Sequence, residues 1–243
     1  MQLGAAGYRA ILHGQRSHNG VAILIRDLSR QHNLLSFSSG FSPEKLVSDA
    51  NGFLVLKEIA RGFPGDPIPE EARVLSVHLG KLRIINVYVV NGEDRNNDQF
   101  RIKQRWMEAL GRWLRSLPEL PPLLVVGDFN VAPDDRDVWD PVGLKGRIHC
   151  TDEERAWLRD LQGERLLDIL RTITGDSGIY TWWPYQRGAF ERNEGLRFDL
   201  ALADRAVAKI AERVWVDLEE RHPSANLEKP SDHAPIIVDF AEP

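Results

Sequence analysis

The sequence predicts an α/β domain built from two packed sheets, at least one of them mixed. Short apolar runs bounded by Gly or Pro, such as LLVV at residues 123–126, have the length and flanks of strands buried on both faces. Two such runs, ARVLSVHLG and KLRIINVYVV, meet around Gly80 as an antiparallel hairpin. Elsewhere the apolar period changes to three and four, so helices alternate with the strands. A mixed sheet covered by helices accommodates that order best, and no repeat or low-complexity linker divides it.

Taken in order, GYRAILHG reads as a strand ending at His13, and GVAILIR at residues 20–26 as a buried strand. Residues 27–58 show no clean period and read as a long loop or an inserted element within a single domain spanning 1–243. The hairpin at residues 72–92 ends in Asn91 and Gly92. Over residues 96–117, Phe100, Ile102, Trp106, Leu110, Trp113, Leu114 and Leu117 form one face of a helix. Arg101, Lys103, Arg105, Arg112 and Arg115 are assigned to its wet side. The segment TDEERAWLRDLQGERLLDIL reads as helix, with Thr151 and Glu154 as a capping box and a break at Gly163. GIYTWWPY, LRFDLALA and APIIVDF read as further strands, with a helix or turn around DRAVAKIAER.

The composition is that of a globular protein: 243 residues, 42% hydrophobic and 28% charged. No apolar run approaches the length of a membrane span, and no basic segment leads into an apolar core at the amino end. The single cysteine, Cys150, excludes an intrachain disulfide, so a cytoplasmic location is expected. Trp106 and Trp113 share the apolar helix face with Leu110 and Leu117, so they are read as core and a monomer is expected. A net charge of -5 argues against a chain-wide grip on nucleic acid. Residues 1–26, however, carry Arg9, Arg16, Arg26, His13 and His18 and no acid.

Acids, amides and histidines gather at strand ends. Asp128 and Asn130 close the run at 123–126, Asn91 follows the strand of Tyr88, and Asp232 and His233 precede APIIVDF. Turn chemistry explains GDFN equally well. Asp199 lies within an apolar strand, where a lone carboxylate is costly unless it is paired. Together these residues suit phosphoryl transfer, which needs carboxylates for a hard cation, a group that moves a proton and donors for phosphate oxygens. A Ser/His/Asp hydrolase is the weaker alternative, since no G-x-S-x-G elbow occurs. A zinc-type Cys and His cluster and a P-loop are both missing from the sequence.

In order, HGQRSHNGVAIL, ARGFPGD, NVYVVNGE, VVGDFNVAP, TWWPYQRGAF, EGLRFDLALA and EKPSDHAP resemble the exonuclease III branch of the endonuclease/exonuclease/phosphatase superfamily. GFPGD, GLRFDL and EKPSDHAP point to that branch, whereas G-D-x-N and S-D-H are shared across the superfamily. The resemblance implies a four-layer, deoxyribonuclease I-like α/β sandwich of two mixed sheets. It also implies a Mg²⁺-dependent enzyme, with Mn²⁺ as the substitute, acting on double-stranded DNA. Such enzymes shorten 3′ ends and incise the backbone 5′ to abasic sites. By resemblance, Asp128 transfers protons, Asn130 steadies the phosphate and Tyr88 lies near it. Asp199 orients the catalytic His233, and Asp128, Asn130 and Asp232 serve the metal. Trp182 or Trp183 lines the pocket of an abasic sugar, and Arg16, His18 and Asn91 are the remaining substrate-binding candidates.

Two departures qualify that expectation. The family opens with a strand bearing N-x-N and another ending L-Q-E-x-K, whose glutamate is a principal metal ligand. Neither motif occurs here, and Glu44, Asp49 and Glu58 stand in no comparable context. The expectation is therefore an amino-terminal truncation with weak or absent metal-dependent cleavage, unless the 27–58 segment rebuilds the site. Other expectations open at this point are a phosphoesterase acting on lipid or phosphoinositide and a catalytically silent DNA-binding relative.

Overall fold

The computed structural model describes residues 7–26, 56–222 and 229–241. Most of the expected insertion, with Glu44 and Asp49, lies outside these residues. A six-stranded sheet organises the rest, in the order β3-β4-β5-β6-β8-β7. Its strands are β3 (Leu56–Arg61), β4 (Val74–Leu79), β5 (Leu82–Tyr88), β6 (Leu123–Asp128), β7 (Leu166–Asp168) and β8 (Asp199–Asp204). The β5–β6 pair is parallel and every other pair antiparallel, so the sheet is mixed as the hairpin around Gly80 requires. β6 is central, which explains why LLVV is apolar on both faces.

Alternate residues of these strands separate two cores. Val74, Ile85, Val87, Leu123, Val125, Leu200 and Leu202 face helices α1 (Asp98–Ser116) and α2 (Asp152–Gln162). Leu75, Val77, Leu124, Ala201 and Ala203 face the opposite layer. Among the described residues that layer holds two antiparallel ladders. One pairs β1 (Tyr8–Gly14) with β2 (Gly20–Arg26), and the other pairs β9 (Ala211–Val216) with β10 (Ile236–Phe240).

Several local expectations need correction. β2 is not buried on both faces: Val21 packs against Leu75 and Val77 of β4, while Leu24 is 45% exposed, because a two-stranded ladder covers only one of its faces. GIYTWWPY forms no strand and contributes only isolated bridges, Trp182 to Leu196 and Trp182 to His233. The helical reading of 151–170 holds only for α2. Gly163 caps it at φ +54, after which the chain forms β7 and a short helix, α3 (Ile169–Ile173). AERVWV is a strand, β9, that the alternation of exposed charge with apolar residues could have revealed, following the short helix α4 (Arg205–Ala208).

The misplacement of Lys103 has the largest consequence. Assigned to the wet side of α1, it is 0% exposed. Phe100, Lys103, Trp106, Met107, Leu110 and Leu114 form one buried stripe at helical spacing, and Lys103 lies three residues from both Phe100 and Trp106. Arg101, Arg105, Arg112 and Arg115 are exposed as expected.

Candidate active site

The site begins as a row across three strands. Register places Tyr88 opposite Asp128 in the parallel β5–β6 pair, and Asp128 opposite Asp199 in the antiparallel β6–β8 pair. The close approach behind this row depends on Gly127. Its φ is +131, and a Cβ there would meet the Val87 carbonyl oxygen at 2.0 Å. Glycine is therefore imposed by the fold itself, rather than by a preference for turns alone.

Asn130 turns the chain sharply at φ +51 and holds Asp128. Its backbone N–H donates to Asp128 Oδ1 at 2.8 Å and its Nδ2 to Asp128 Oδ2 at 3.0 Å. The second amide hydrogen goes to the Val89 carbonyl, also at 3.0 Å. The orientation of the amide follows from its neighbours. The Glu93 N–H donates to Asn91 Oδ1, so Asn91 Nδ2 faces Asn130 and donates to its Oδ1 at 3.0 Å. Both amide hydrogens of Asn130 are thus used within the protein, and the residue is buried.

On the other side of the row, His233 Nδ1 lies 2.8 Å from Asp199 Oδ2, which supplies the partner that the Asp199 carboxylate requires. The Thr181 hydroxyl accepts from the backbone N–H groups of both Phe198 and Asp199 at 3.0 Å, fixing the start of β8. Asp232 Oδ2 accepts from Trp182 Nε1 at 3.0 Å, and the Trp182 ring stacks on Phe198 with centroids 5.2 Å apart. Trp183 instead is buried in a core with Tyr180 and Ala234, so of the two tryptophans only Trp182 belongs to the site. Arg73, buried behind Tyr88, lies 4.9 Å from the centre of its ring and donates to its carbonyl at 3.1 Å. Arg73 also pairs with Glu71, which accepts from Asn19 beside the exposed turn that carries Arg16 and His18.

These placements move the titrations. Burial and the Asp199 charge push Asp128 up to about 7, against the pull of His233. Burial disfavours the His233 imidazolium, but the hydrogen bond and charge of Asp199 outweigh it and carry His233 up to about 9. Burial, with Asp128 beside it, pushes Tyr88 up and keeps it a protonated donor.

Three residues that sequence reasoning did not select stand behind the row. Lys103 Nζ donates to the Asn130 carbonyl at 2.7 Å, to the Asn91 carbonyl at 3.1 Å and to Glu154 Oε1 at 2.5 Å. His149 Nδ1 lies 2.6 Å from the same Asn130 carbonyl, which can only accept, so that nitrogen carries the proton. Burial holds His149 down to about 3, and hence neutral. The position of Lys103 in the apolar stripe of α1, and Glu154 in the capping box of α2, were the available signals.

The donor set has the chemistry of a hard-cation site: Asp128, Asp199 and Asp232 carboxylates and the Asn130 amide oxygen. Among the described residues, however, no group of three or more His, Cys, Asp or Glu side chains is placed to hold a metal ion.

The chain belongs to the endonuclease/exonuclease/phosphatase family, whose model matches residues 2–233. Within it, the chain is 30% identical over 249 residues to exodeoxyribonuclease III of Haemophilus influenzae, covering 96% of this chain and 81% of that protein. Among solved structures it is similar to a 3′ phosphatase from Neisseria bound to product DNA hairpin, at 33% identity and a TM-score of 0.82, covering 99% of this chain and 82% of that one. It is also similar to an AP endonuclease from Archaeoglobus fulgidus, at 26% identity and a TM-score of 0.78, covering 98% and 80%. The chain is accordingly a hydrolase of the nuclease type, and the deoxyribonuclease I-like fold expected from its motifs is borne out. No helix among the described residues is long and apolar enough to cross a membrane.

Proposed function

We propose that this chain is a DNA-repair phosphodiesterase that removes nucleotides from 3′ ends of duplex DNA and incises the backbone 5′ to abasic sites. The observation that carries this reading is the row Tyr88, Asp128, Asp199 in register on three strands, with His233 held on Asp199. The likeness to an exodeoxyribonuclease and to an AP endonuclease supports the choice of substrate.

The roles follow from each group's state. Asp128, near 7, is poised between its two forms at neutral pH, so it accepts a proton from the attacking water. As the water oxygen bonds to phosphorus, the bond to the leaving sugar oxygen breaks, and that oxygen takes the proton that Asp128 has just accepted. His233, near 9, is cationic and Asp199 orients it, so its second N–H stabilises charge developing on the phosphate. Tyr88 stays protonated and donates a hydrogen bond from its phenolic O–H to the same phosphate. Asn130 serves by clamping Asp128, since its amide hydrogens go to Asp128 and Val89, and its Oδ1 is the atom it offers a cation. Trp182 presents an aromatic edge to an extrahelical abasic sugar while anchoring Asp232, the third acid of the cation set. Asn91, Arg16 and His18 contact the DNA backbone beside it. A bound Mg²⁺ or Mn²⁺ would neutralise phosphate charge. Cleavage by this chain is weak unless residues 27–58 complete the cation site, since the L-Q-E-x-K motif of the family does not occur in the sequence.

The missing L-Q-E-x-K motif favours a second reading, duplex DNA binding without cleavage. One comparison separates them: the purified chain is given an abasic duplex oligonucleotide and, in parallel, a phosphoinositide, each with Mg²⁺ and with EDTA. Divalent-dependent incision 5′ to the abasic site is expected. Phosphate release from the phosphoinositide alone, or salt-sensitive DNA binding without any product, would overturn the proposal.

A further inference from the structure

Lys103 and Glu154 are both 0% exposed, and a buried ion pair of this kind adds little to stability over well-packed apolar residues of similar size. Its position suggests another purpose. The three protons of the ammonium are directed to the Asn130 carbonyl beyond β6, the Asn91 carbonyl beyond β5 and the Glu154 carboxylate on α2. Asn91 and Asn130 are the two residues whose side chains, in sequence, orient Asp128. The neutral His149 donates to the same Asn130 carbonyl, so the left-handed Asn130 is gripped from two directions.

Space for the lysine is built in. Gly92 has φ +89, and a Cβ there would meet Lys103 Cδ at 3.0 Å and Ile148 Cδ1 at 3.2 Å. Glu154 is itself fixed, its Oε2 accepting from the Thr151 hydroxyl at 2.7 Å. A charge carried on two helices thus sets the positions of two strand ends.

We propose that Lys103, seated by Glu154 and Gly92, is a positioning residue that holds Asn91 and Asn130 so that the Asp128 carboxylate keeps its reactive orientation. The proposal rests on the phosphodiesterase reading for its effect on rate, but not for its effect on structure. Misplacing a reacting carboxylate by about an ångström costs on the order of a hundredfold in rate, while the DNA contacts assigned to Arg16, His18 and Trp182, which Lys103 does not hold, are spared.

The test uses Lys103→Met/Glu154→Gln, which removes both charges together and leaves no lone buried ion. On abasic duplex, kcat should fall on the order of a hundredfold with KM within about twofold of the parent. Independently of activity, hydrogen exchange at the Asn130 amide, which donates to Asp128 Oδ1, should quicken by about tenfold or more, while the mid-strand Val125 amide is unchanged. If that variant does not fold, Gly92→Ala, which displaces the Lys103 stem and keeps both charges, is read by the same two measurements. Unchanged exchange at Asn130 overturns the proposal, and so does unchanged kcat, or a change confined to KM, in a parent that cleaves. A parent that does not cleave overturns the phosphodiesterase reading alone, and the exchange comparison still decides the positioning role.

Discussion

Gly127→Ala puts the strand-end geometry under direct strain. The new Cβ would lie 2.0 Å from the Val87 carbonyl oxygen and 2.8 Å from Asn86 Oδ1, well inside van der Waals contact. Relief requires β5 and β6 to separate by more than an ångström at the pair next to Tyr88 and Asp128. A non-glycine residue at φ +131 adds backbone strain of about 1–3 kcal/mol. Weakening one or two ladder hydrogen bonds adds about 0.5–1.5 kcal/mol each. The sum, about 1.5–6 kcal/mol, corresponds to a fall in melting temperature of about 3–24 °C for a chain of this size. Thermal unfolding followed by circular dichroism measures it. A variant melting within about 2 °C of the parent would mean that the close approach at Gly127 is relieved without cost, contrary to this expectation.

Other perturbations separate the remaining parts of the structure. Arg197 is buried between Asp137 and Asp168, whose charges hold its pKa above the usual arginine value in spite of burial, so Arg197→Met should cost about 3–5 kcal/mol in a denaturant titration. His149 is held near 3 when folded against 6.5 as its ordinary value, so the unfolded chain binds the extra proton between those limits and stability falls as the pH drops through them. At pH 5 the loss is about 2 kcal/mol, and His149→Gln should remove that component from the pH dependence of the unfolding midpoint. Asp199→Asn takes the charge from the His233 pair, and the rate of abasic-site incision should drop by about a hundredfold with little change in DNA binding, measured by single-turnover kinetics and by anisotropy.

Much of this was legible because strands and acids obey short-range rules. The LLVV run, the turn at Gly80 and the Thr151–Glu154 capping box each predict their element from local sequence, and each is present. The gathering of Asp128, Asn130, Asp199, Asp232 and His233 was readable as chemistry at strand ends, although not which acid meets which partner. That depends on register: the Asp128–Asp199 alignment arises from an antiparallel pairing of segments 71 positions apart, which no local pattern encodes. Lys103 was misread because charge on a helix ordinarily marks the solvent face, and here Glu154 from another helix compensates it. GIYTWWPY reads as strand by β propensity, yet Thr181 and Trp182 spend their hydrogen bonds on Leu196, Phe198 and Asp232, not on a ladder.

The most direct test is single-turnover incision of a duplex carrying one abasic site, comparing the parent with Asp128→Asn in Mg²⁺. The parent should incise on the 5′ side of the lesion, slowly and only with the divalent ion present. Asp128→Asn, which keeps the shape of the row but cannot take the proton, should lose about a hundredfold or more in rate at unchanged DNA affinity. Equal rates for the two proteins would contradict proton transfer at Asp128 and, with it, the function proposed for the site.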